Sequence, residues 1–374
     1  MIERKIKESV KKDLFKGKII IIYGARQVGK TTLVKEIQKE YVGESSYFNC
    51  DEMDVRRALT DKTSTELKAF LGNNKLIIFD EAQRVKNIGL TLKLIVDNFP
   101  QLQIIATGSF SFDLSNEISE PLTGRKNEYY LYPFSLEELK LIYSDLEIDR
   151  LLERMLVFGM YPEIIRKGAE AERNLKNIAK SYLYKDVLQY QNIKNPEALE
   201  KLLQAMALQI GSEVSYNELA DTVGIDKNTV INYIQILEKA FIVFKLRPFS
   251  RNLRNELKKM RKIYFYDTGI RNALVNNFNP MDLRQDTGSL WENFMISERL
   301  KYNRNRDIDK NIYFWRTTQK QEIDYLEEFE GRLAGFEFKW RKDKFKKPKV
   351  FLETYPASTV ELINRGNYKN FVEK

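Results

Sequence analysis

Gly24-Ala25-Arg26-Gln27-Val28-Gly29-Lys30-Thr31 is the stretch that decides the fold class of this chain. It matches GxxxxGK followed by Ser or Thr at every fixed position. The segment Lys18–Tyr23 before it reads as a strand, and a helix is expected to open near Lys30. Glycines at both ends let backbone N–H groups turn inward around phosphate oxygens, and the helix N-terminus adds its dipole. Lys30 is placed to reach the β- and γ-phosphates of ATP, and Thr31 to offer its hydroxyl to Mg²⁺. The expected nucleotide-binding set is Gly24, Ala25, Arg26, Gln27, Val28, Gly29, Lys30, Thr31 and Thr32.

Two later strands end in chemistry that suits this loop. Leu76-Ile77-Ile78-Phe79 is apolar and runs into Asp80 and Glu81. Asp80, at a strand's carboxyl end, is positioned to hold Mg²⁺, and Glu81 stands where a general base for an attacking water is needed. Ile104-Ile105-Ala106 runs into Thr107-Gly108-Ser109. Thr107 or Ser109 could contact the γ-phosphate or the water, although the same residues also read as an ordinary turn. Arg125 reads either as a surface arginine or as a finger acting on a neighbouring subunit. Short apolar runs alternating with helical stretches from Lys18 to about Pro133 predict a buried parallel sheet in an α/β domain.

The composition narrows the chemistry. The chain has 374 residues, enough for two or three domains. It contains no histidine, which excludes imidazole acid–base chemistry, Ser-His and Cys-His nucleophilic pairs and His-ligated metals. One cysteine, Cys50, cannot form an internal disulfide and points to a reducing compartment. No run approaches the roughly 18 apolar residues of a membrane span, and no secretory signal is evident, so the chain is expected in the cytosol. The net charge of +9 is local. Lys339–Lys349 holds seven basic residues and one acid, and Arg251–Lys262 six and one, leaving the remainder slightly acidic. Such runs suggest anionic partners, though either alone also reads as a solvated loop.

GARQVGKTTL, IIFDEAQRV, TGSFSFDL, the LTGR segment, YPFSLEEL, SYLYKDVLQY, YFYDTGIRNAL and GSLWENFMISERL together resemble a bacterial and archaeal AAA+ ATPase family. In that family the ATPase is fused to a C-terminal domain. The resemblance implies an ATPase with a catalytic glutamate, supporting Glu81 as base. It also implies a winged-helix module in the middle of the chain and a C-terminal domain similar to PD-(D/E)XK nucleases. The expected organisation is an AAA+ P-loop domain over 1–145 and a helical lid or linker over 146–209. A winged-helix module over 210–265 and a nuclease-like α+β domain over 266–374 follow. The fused architecture suggests a homo-oligomer.

In the middle unit, Tyr216–Leu237 reads as helix, Gly-containing turn and helix, with Leu219, Ala220, Val223, Ile225, Val230, Ile234 and Leu237 on the buried faces. Phe241–Leu246 follows as a strand. Asp226, Lys227, Asn228, Thr229, Asn232 and Gln235 form an exposed face that could read bases but is only weakly positive. Winged helices also serve as protein contacts, so a nucleic acid and a protein partner both stay open.

Near the C-terminus, Glu322–Leu326, a turn at Glu330-Gly331 and Leu333–Trp340 read as a β-hairpin. A two-residue loop sets Asp324 opposite Glu337, with Lys339 on the same face. Directly opposed carboxylates destabilise a sheet, so a divalent cation or Lys339 is expected to neutralise them. Asp324, Glu337 and Lys339 form the D…ExK arrangement of the resembled nucleases, and Glu292 would match their additional helical acid. A nuclease-like fold that binds without cutting is the other reading. Phe336, Phe338 and Trp340 could block a substrate there or stack on a base.

Overall fold

Runs of β-branched and aromatic residues bounded by turn formers place β-strands at Ile19–Gly24, Leu76–Asp80 and Gln103–Gly108, where periodicity expects them. The computed structural model describes residues 2–109, 121–166, 168–181, 193, 195–250, 260–317, 319 and 321–373. The TGSFSFDL motif beyond Ser109, nearly all of SYLYKDVLQY, and Arg251–Lys259 of the basic run lie outside them. The described residues fall into two compact units. One comprises those of Met1–Pro133 with Lys239–Phe241, and the other those of Phe134–Leu183, Ile193–Glu238 and Ile242–Lys374.

The first unit is built on five strands: β1 (Ile19–Gly24), β2 (Ser45–Asn49), β3 (Leu76–Asp80), β4 (Gln103–Gly108) and β5 (Lys126–Leu131). They are ordered β2-β3-β4-β1-β5, and each neighbouring pair is parallel. Every residue of β1, β3 and β4 is buried, as fully apolar central strands require. β5 is polar (KNEYYL), so no apolar run announces it, and it lies at the sheet edge. The N-terminal helix Ile6–Lys12 buries Ile6 and Val10, four residues apart on one face. With parallel strands, the carboxyl ends of β1, β3 and β4 collect on one edge, with Tyr23 beside Gly108 and Phe79 beside Ala106.

The second unit carries β6 (Glu213–Val214), β7 (Val243–Pro248), β8 (Arg261–Phe265), β9 (Asn311–Arg316), β10 (Glu322–Phe329), β11 (Arg332–Phe338) and β12 (Thr359–Ile363). Their order is β12-β11-β10-β9-β7-β8-β6. β7 pairs in parallel with β9, so the cut expected at 265/266 falls inside one sheet. The β10–β11 hairpin has the predicted register, with Tyr325 opposite Phe336 and Phe329 opposite Arg332. Its turn residues Glu330 and Gly331 both have positive φ, as a two-residue primed turn needs. Trp315, Ile323, Leu326, Leu333, Phe351 and Val360 form a core cluster.

Helices Tyr216–Val223 and Lys227–Lys239 flank Gly224, which takes the left-handed conformation at the helix end. Leu219, Ala220, Val223, Val230, Ile234 and Leu237 are buried as expected, and Ile225 is partly so. Helix Thr287–Asn305 is buried around most of its circumference, and most of its inward polar groups are paired, Trp291 Nε1 and Asn303 Oδ1 being exceptions. Asn293, for example, receives the Phe265 N–H and donates to the Phe265 carbonyl.

Candidate functional site

The phosphate loop runs from the end of β1 to helix Lys30–Glu40. A Cβ at Gly24 would stand 2.2 Å from the Leu131 carbonyl oxygen, so only glycine lets the loop leave the sheet beside β5. Gly29 has φ 101°, which turns the chain into the helix. Lys30 is buried, and its Nζ donates to the carbonyls of Gly24 and Ala25, each at 2.9 Å. The ammonium thus spans the loop that its own sequence motif defines. Its distance to Glu81 Oε1 is 4.0 Å.

Asp80 ends β3 beneath this loop and accepts three hydroxyl hydrogen bonds. Thr31 Oγ1 and Tyr47 Oη each donate to Oδ2 at 2.6 Å, and Thr107 Oγ1 donates to Oδ1. Burial and the Asp80 charge raise the Tyr47 hydroxyl well above its ordinary range, so it remains a donor. Cys50, whose N–H reaches the Asp80 carbonyl at 2.9 Å, is buried, and its thiol is pushed up to about 12. That makes it an inert packing residue.

Glu81 adopts a left-handed backbone conformation with φ 55°. Its N–H donates to Thr107 Oγ1 at 3.0 Å. Gln83 Nε2 donates to Glu81 Oε2 at 2.6 Å and to Ser109 Oγ at 3.0 Å, while Ser109 Oγ donates to Glu81 Oε2 at 3.2 Å. Gln83 Oε1 is buried with no hydrogen-bond partner. The site residues Lys30, Thr31, Asp80, Glu81, Thr107 and Ser109 are therefore brought together. Thr32 is exposed on the outer side of the helix start.

Arg125 is not part of this cluster. It precedes β5, and its carbonyl accepts from Ile19 N–H at the amino end of β1. That is the sheet edge opposite the phosphate loop. Its guanidinium is 41% exposed and pairs with Asp97 at 2.7 Å, so it serves no nucleotide in its own chain.

Three residues in the first unit escaped the sequence reading. Tyr47 and Gln83 are described above. Arg4 is buried, donating through Nη1 to the Val28 carbonyl at 2.6 Å and through Nη2 to the Tyr132 carbonyl at 2.5 Å. One N-terminal arginine thereby ties the phosphate loop to the end of β5. Nothing local in the sequence marks it, because its acceptors are backbone atoms far along the chain.

The donor set suits Mg²⁺ with a triphosphate. A hydroxyl and a carboxylate lie in contact beside an ammonium and a glycine-rich loop, all at a helix N-terminus.

The C-terminal carboxylates also converge, but around a residue the sequence reading did not single out. Lys262, the last residue of the second basic run, does not face solvent. Its Nζ lies 3.0 Å from Glu292 Oε1, 2.8 Å from Glu322 Oε1 and 3.8 Å from Asp324 Oδ1, with the side chain 2% exposed. Burial works against its charge, yet the surrounding carboxylates and Tyr264 hold it well above its ordinary value. Asp324 accepts the Phe338 N–H at 2.9 Å, and Glu337 pairs with Lys339 at 2.7 Å. Burial raises Glu292 and Glu337 each to about 7, with the Asp324 charge adding to both. Among the described residues, no group of three or more Asp, Glu, Cys or His side chains is laid out to hold a metal ion. The divalent ion expected among Glu292, Asp324 and Glu337 meets an ammonium already paired with Glu292 at 3.0 Å. Lys262 as well as Lys339 supplies the positive charge.

The expected base-reading face on helix Lys227–Lys239 is also altered. Asp226 accepts from the N–H groups of Asn228 and Thr229 and from the Thr229 hydroxyl, so both side chains act as a helix cap. Lys227, Asn228, Asn232 and Gln235 remain exposed.

Residues 16–140 match the model of an AAA domain. Residues 149–281 and 287–369 match two domains of unknown function, DUF8612 and DUF4143. An uncharacterized protein of Mycobacterium tuberculosis is 27% identical over 335 residues, covering 88% of this chain and 72% of the relative. One of Methanocaldococcus jannaschii is 27% identical over 316 residues, covering 73% and 65%. Among solved structures, the Walker-type ATPase of Pyrococcus abyssi is similar with a TM-score of 0.51 and 18% identity, covering 74% of this chain and 96% of that one. That likeness shows the fold. No helix among the described residues is long and apolar enough to cross a membrane. The parallel sheet, the phosphate loop and the match over 16–140 support an AAA-type ATPase domain in this chain.

Proposed function

We propose that the protein binds and hydrolyses ATP with Mg²⁺ at the carboxyl edge of the first sheet. The observation that carries this reading is the contact of Thr31 with Asp80 at 2.6 Å, beside Lys30 and Glu81. Thr31 and Asp80 would hold the Mg²⁺ that accompanies the nucleotide, which would supply neutralisation of phosphate charge. Lys30 exchanges the Gly24 and Ala25 carbonyls for phosphate oxygens. Glu81 orients and deprotonates the attacking water, and Ser109 and Gln83 hold its carboxylate in place. Arg125, away from the phosphate loop of its own chain, acts on the nucleotide of a second copy in a homo-oligomer. The test is ATP turnover in the whole chain beside Lys30→Ala, which is expected to lose nucleotide binding.

We further read the second unit as a winged-helix module followed by a PD-(D/E)XK-like domain directed at nucleic acid. The exposed lysines of Lys339–Lys349 support this, because phosphate neutralisation dominates such affinity. ATP hydrolysis stimulated by DNA, with the stimulation fading at high salt, is the corresponding test. One observation favours a second reading, a nucleotide-controlled switch that binds a protein partner. The exposed face of helix Lys227–Lys239 carries little positive charge, and Asp226 and Thr229 are spent on its cap. Hydrolysis indifferent to DNA would select that reading.

A further inference from the structure

Four acidic side chains, Glu292, Glu322, Asp324 and Glu337, gather at one face of the sheet in the second unit. Three elements bring them there. Helix Thr287–Asn305 supplies Glu292, β10 supplies Glu322 and Asp324, and β11 supplies Glu337. A cluster of this kind needs positive charge, since opposed carboxylates repel and their burial magnifies the repulsion. The chain supplies that charge itself from a fourth element, β8.

Lys262 is the second residue of β8, opposite Leu246 of β7 on one side and Glu213 of β6 on the other, so its backbone is fixed in both directions. Its ammonium reaches 3.0 Å from Glu292, 2.8 Å from Glu322 and 3.8 Å from Asp324. Its side chain is closed to solvent, and its ammonium lies over the Phe314 ring, 5.6 Å from the centroid. Each carboxylate has a further partner. Tyr264 donates its hydroxyl to Glu292, the Phe338 N–H binds Asp324, Arg316 lies 3.7 Å from Glu322, and Lys339 pairs with Glu337.

We infer that Lys262 is the resident cation of this cluster, occupying the place a nuclease-type fold gives to its divalent ion, so that the second unit does not cleave nucleic acid. A divalent ion here would require carboxylate oxygens within about 2.0–2.6 Å. It would then compete with a buried ammonium that already binds Glu292 and stands 3.8 Å from Asp324. Nor has the ammonium a way out, since a strand paired on both sides carries it and its side chain is closed to solvent. The inference rests on the nuclease-like reading of the second unit and is independent of the ATPase reading, because none of these residues belongs to the first unit.

The test is Mn²⁺ binding, followed by electron paramagnetic resonance, to the whole chain without nucleotide. An Asp80→Asn background removes the metal position of the first unit. With Lys262 present, no Mn²⁺ site sensitive to Asp324→Asn is expected, and plasmid DNA stays intact in Mn²⁺ buffer. Adding Lys262→Met, which keeps the apolar stem, is expected to create one Mn²⁺ site at least tenfold tighter than any residual binding of the Lys262-containing chain, and Asp324→Asn abolishes it. Mn²⁺ bound by the Lys262-containing chain and lost on Asp324→Asn would overturn the inference. That comparison leaves Lys262 unchanged, so it decides the matter even where Lys262→Met does not fold. A folded Lys262→Met chain that gains no Mn²⁺ site would also overturn it, because exclusion of metal would then owe nothing to the lysine.

Discussion

Thr31 Oγ1 donates a 2.6 Å hydrogen bond to Asp80 Oδ2 although 49 positions separate the two residues. The contact follows from strand order. β3 lies two strands from β1, and parallel pairing brings both carboxyl ends to one edge. Replacing either partner removes half of the expected Mg²⁺ position. Thr31→Ala and Asp80→Asn should each lower Mg²⁺-dependent ATP turnover by at least tenfold while the melting temperature changes little. Turnover in Asp80→Asn equal to wild type would remove Asp80 from the site.

Arg4 ties the phosphate loop to the end of β5 through two backbone carbonyls. Arg4→Ala leaves both without their donor in a buried setting and should cost roughly 1–3 kcal/mol of stability. It should also raise the KM for ATP several-fold with a smaller effect on kcat, since the loop loses its brace while Glu81 keeps its partners. Arg4→Lys should not restore the KM, because one ammonium cannot reproduce the guanidinium fork. Denaturant titration and steady-state kinetics on the three proteins check this. An unchanged KM in Arg4→Ala would show that the brace is irrelevant to nucleotide binding.

Glu327 makes an acid-sensitive contribution to stability. Burial works against its charge, yet Arg299, at 2.7 and 2.9 Å, and Lys310, at 2.8 Å, hold its carboxyl down to about 2. A depressed folded-state value means the native state binds fewer protons than the unfolded one. The contribution is therefore complete above the ordinary carboxyl range near pH 4.5 and is lost as pH falls towards 2. Glu327→Gln should cost about 3 kcal/mol at pH 7 and flatten the stability curve between pH 4.5 and 2. An acid limb with the same slope in variant and wild type would contradict the assignment.

The exposed lysines of the segment Lys339–Lys349 give the nucleic-acid reading a quantitative form. Lys344, Lys346 and Lys347 are all exposed. If they contact phosphates, changing all three to Ala should reduce the slope of log affinity against log salt by up to about 3, roughly 0.9 per contact. Fluorescence anisotropy with a labelled duplex at several salt concentrations measures it. An unaltered slope would move the interface elsewhere.

What the sequence disclosed was whatever depends on near neighbours. The phosphate loop, the apolar strands and the β10–β11 register are set by local periodicity and by the turn at Glu330-Gly331. β5 was hidden because it is a polar edge strand, and the joining of β7 to β9 because strand pairing across 60-odd residues leaves no local mark. Arg4, Tyr47, Gln83 and Lys262 were missed for a related reason. Each owes its place to a tertiary partner, and a lysine in a basic run carries no sign that it will be buried. Arg261–Lys262 read as part of a solvated or anion-binding stretch until β8 turned Lys262 inward.

The central claim, that the first unit hydrolyses ATP through Glu81, is tested most directly by comparing wild type with Glu81→Gln for both ATP affinity and phosphate release. The account predicts equal or tighter ATP binding in the variant with turnover reduced by about 10²–10⁴-fold, the usual worth of a positioned general base. ATP bound and hydrolysed by Glu81→Gln at the wild-type rate would contradict it.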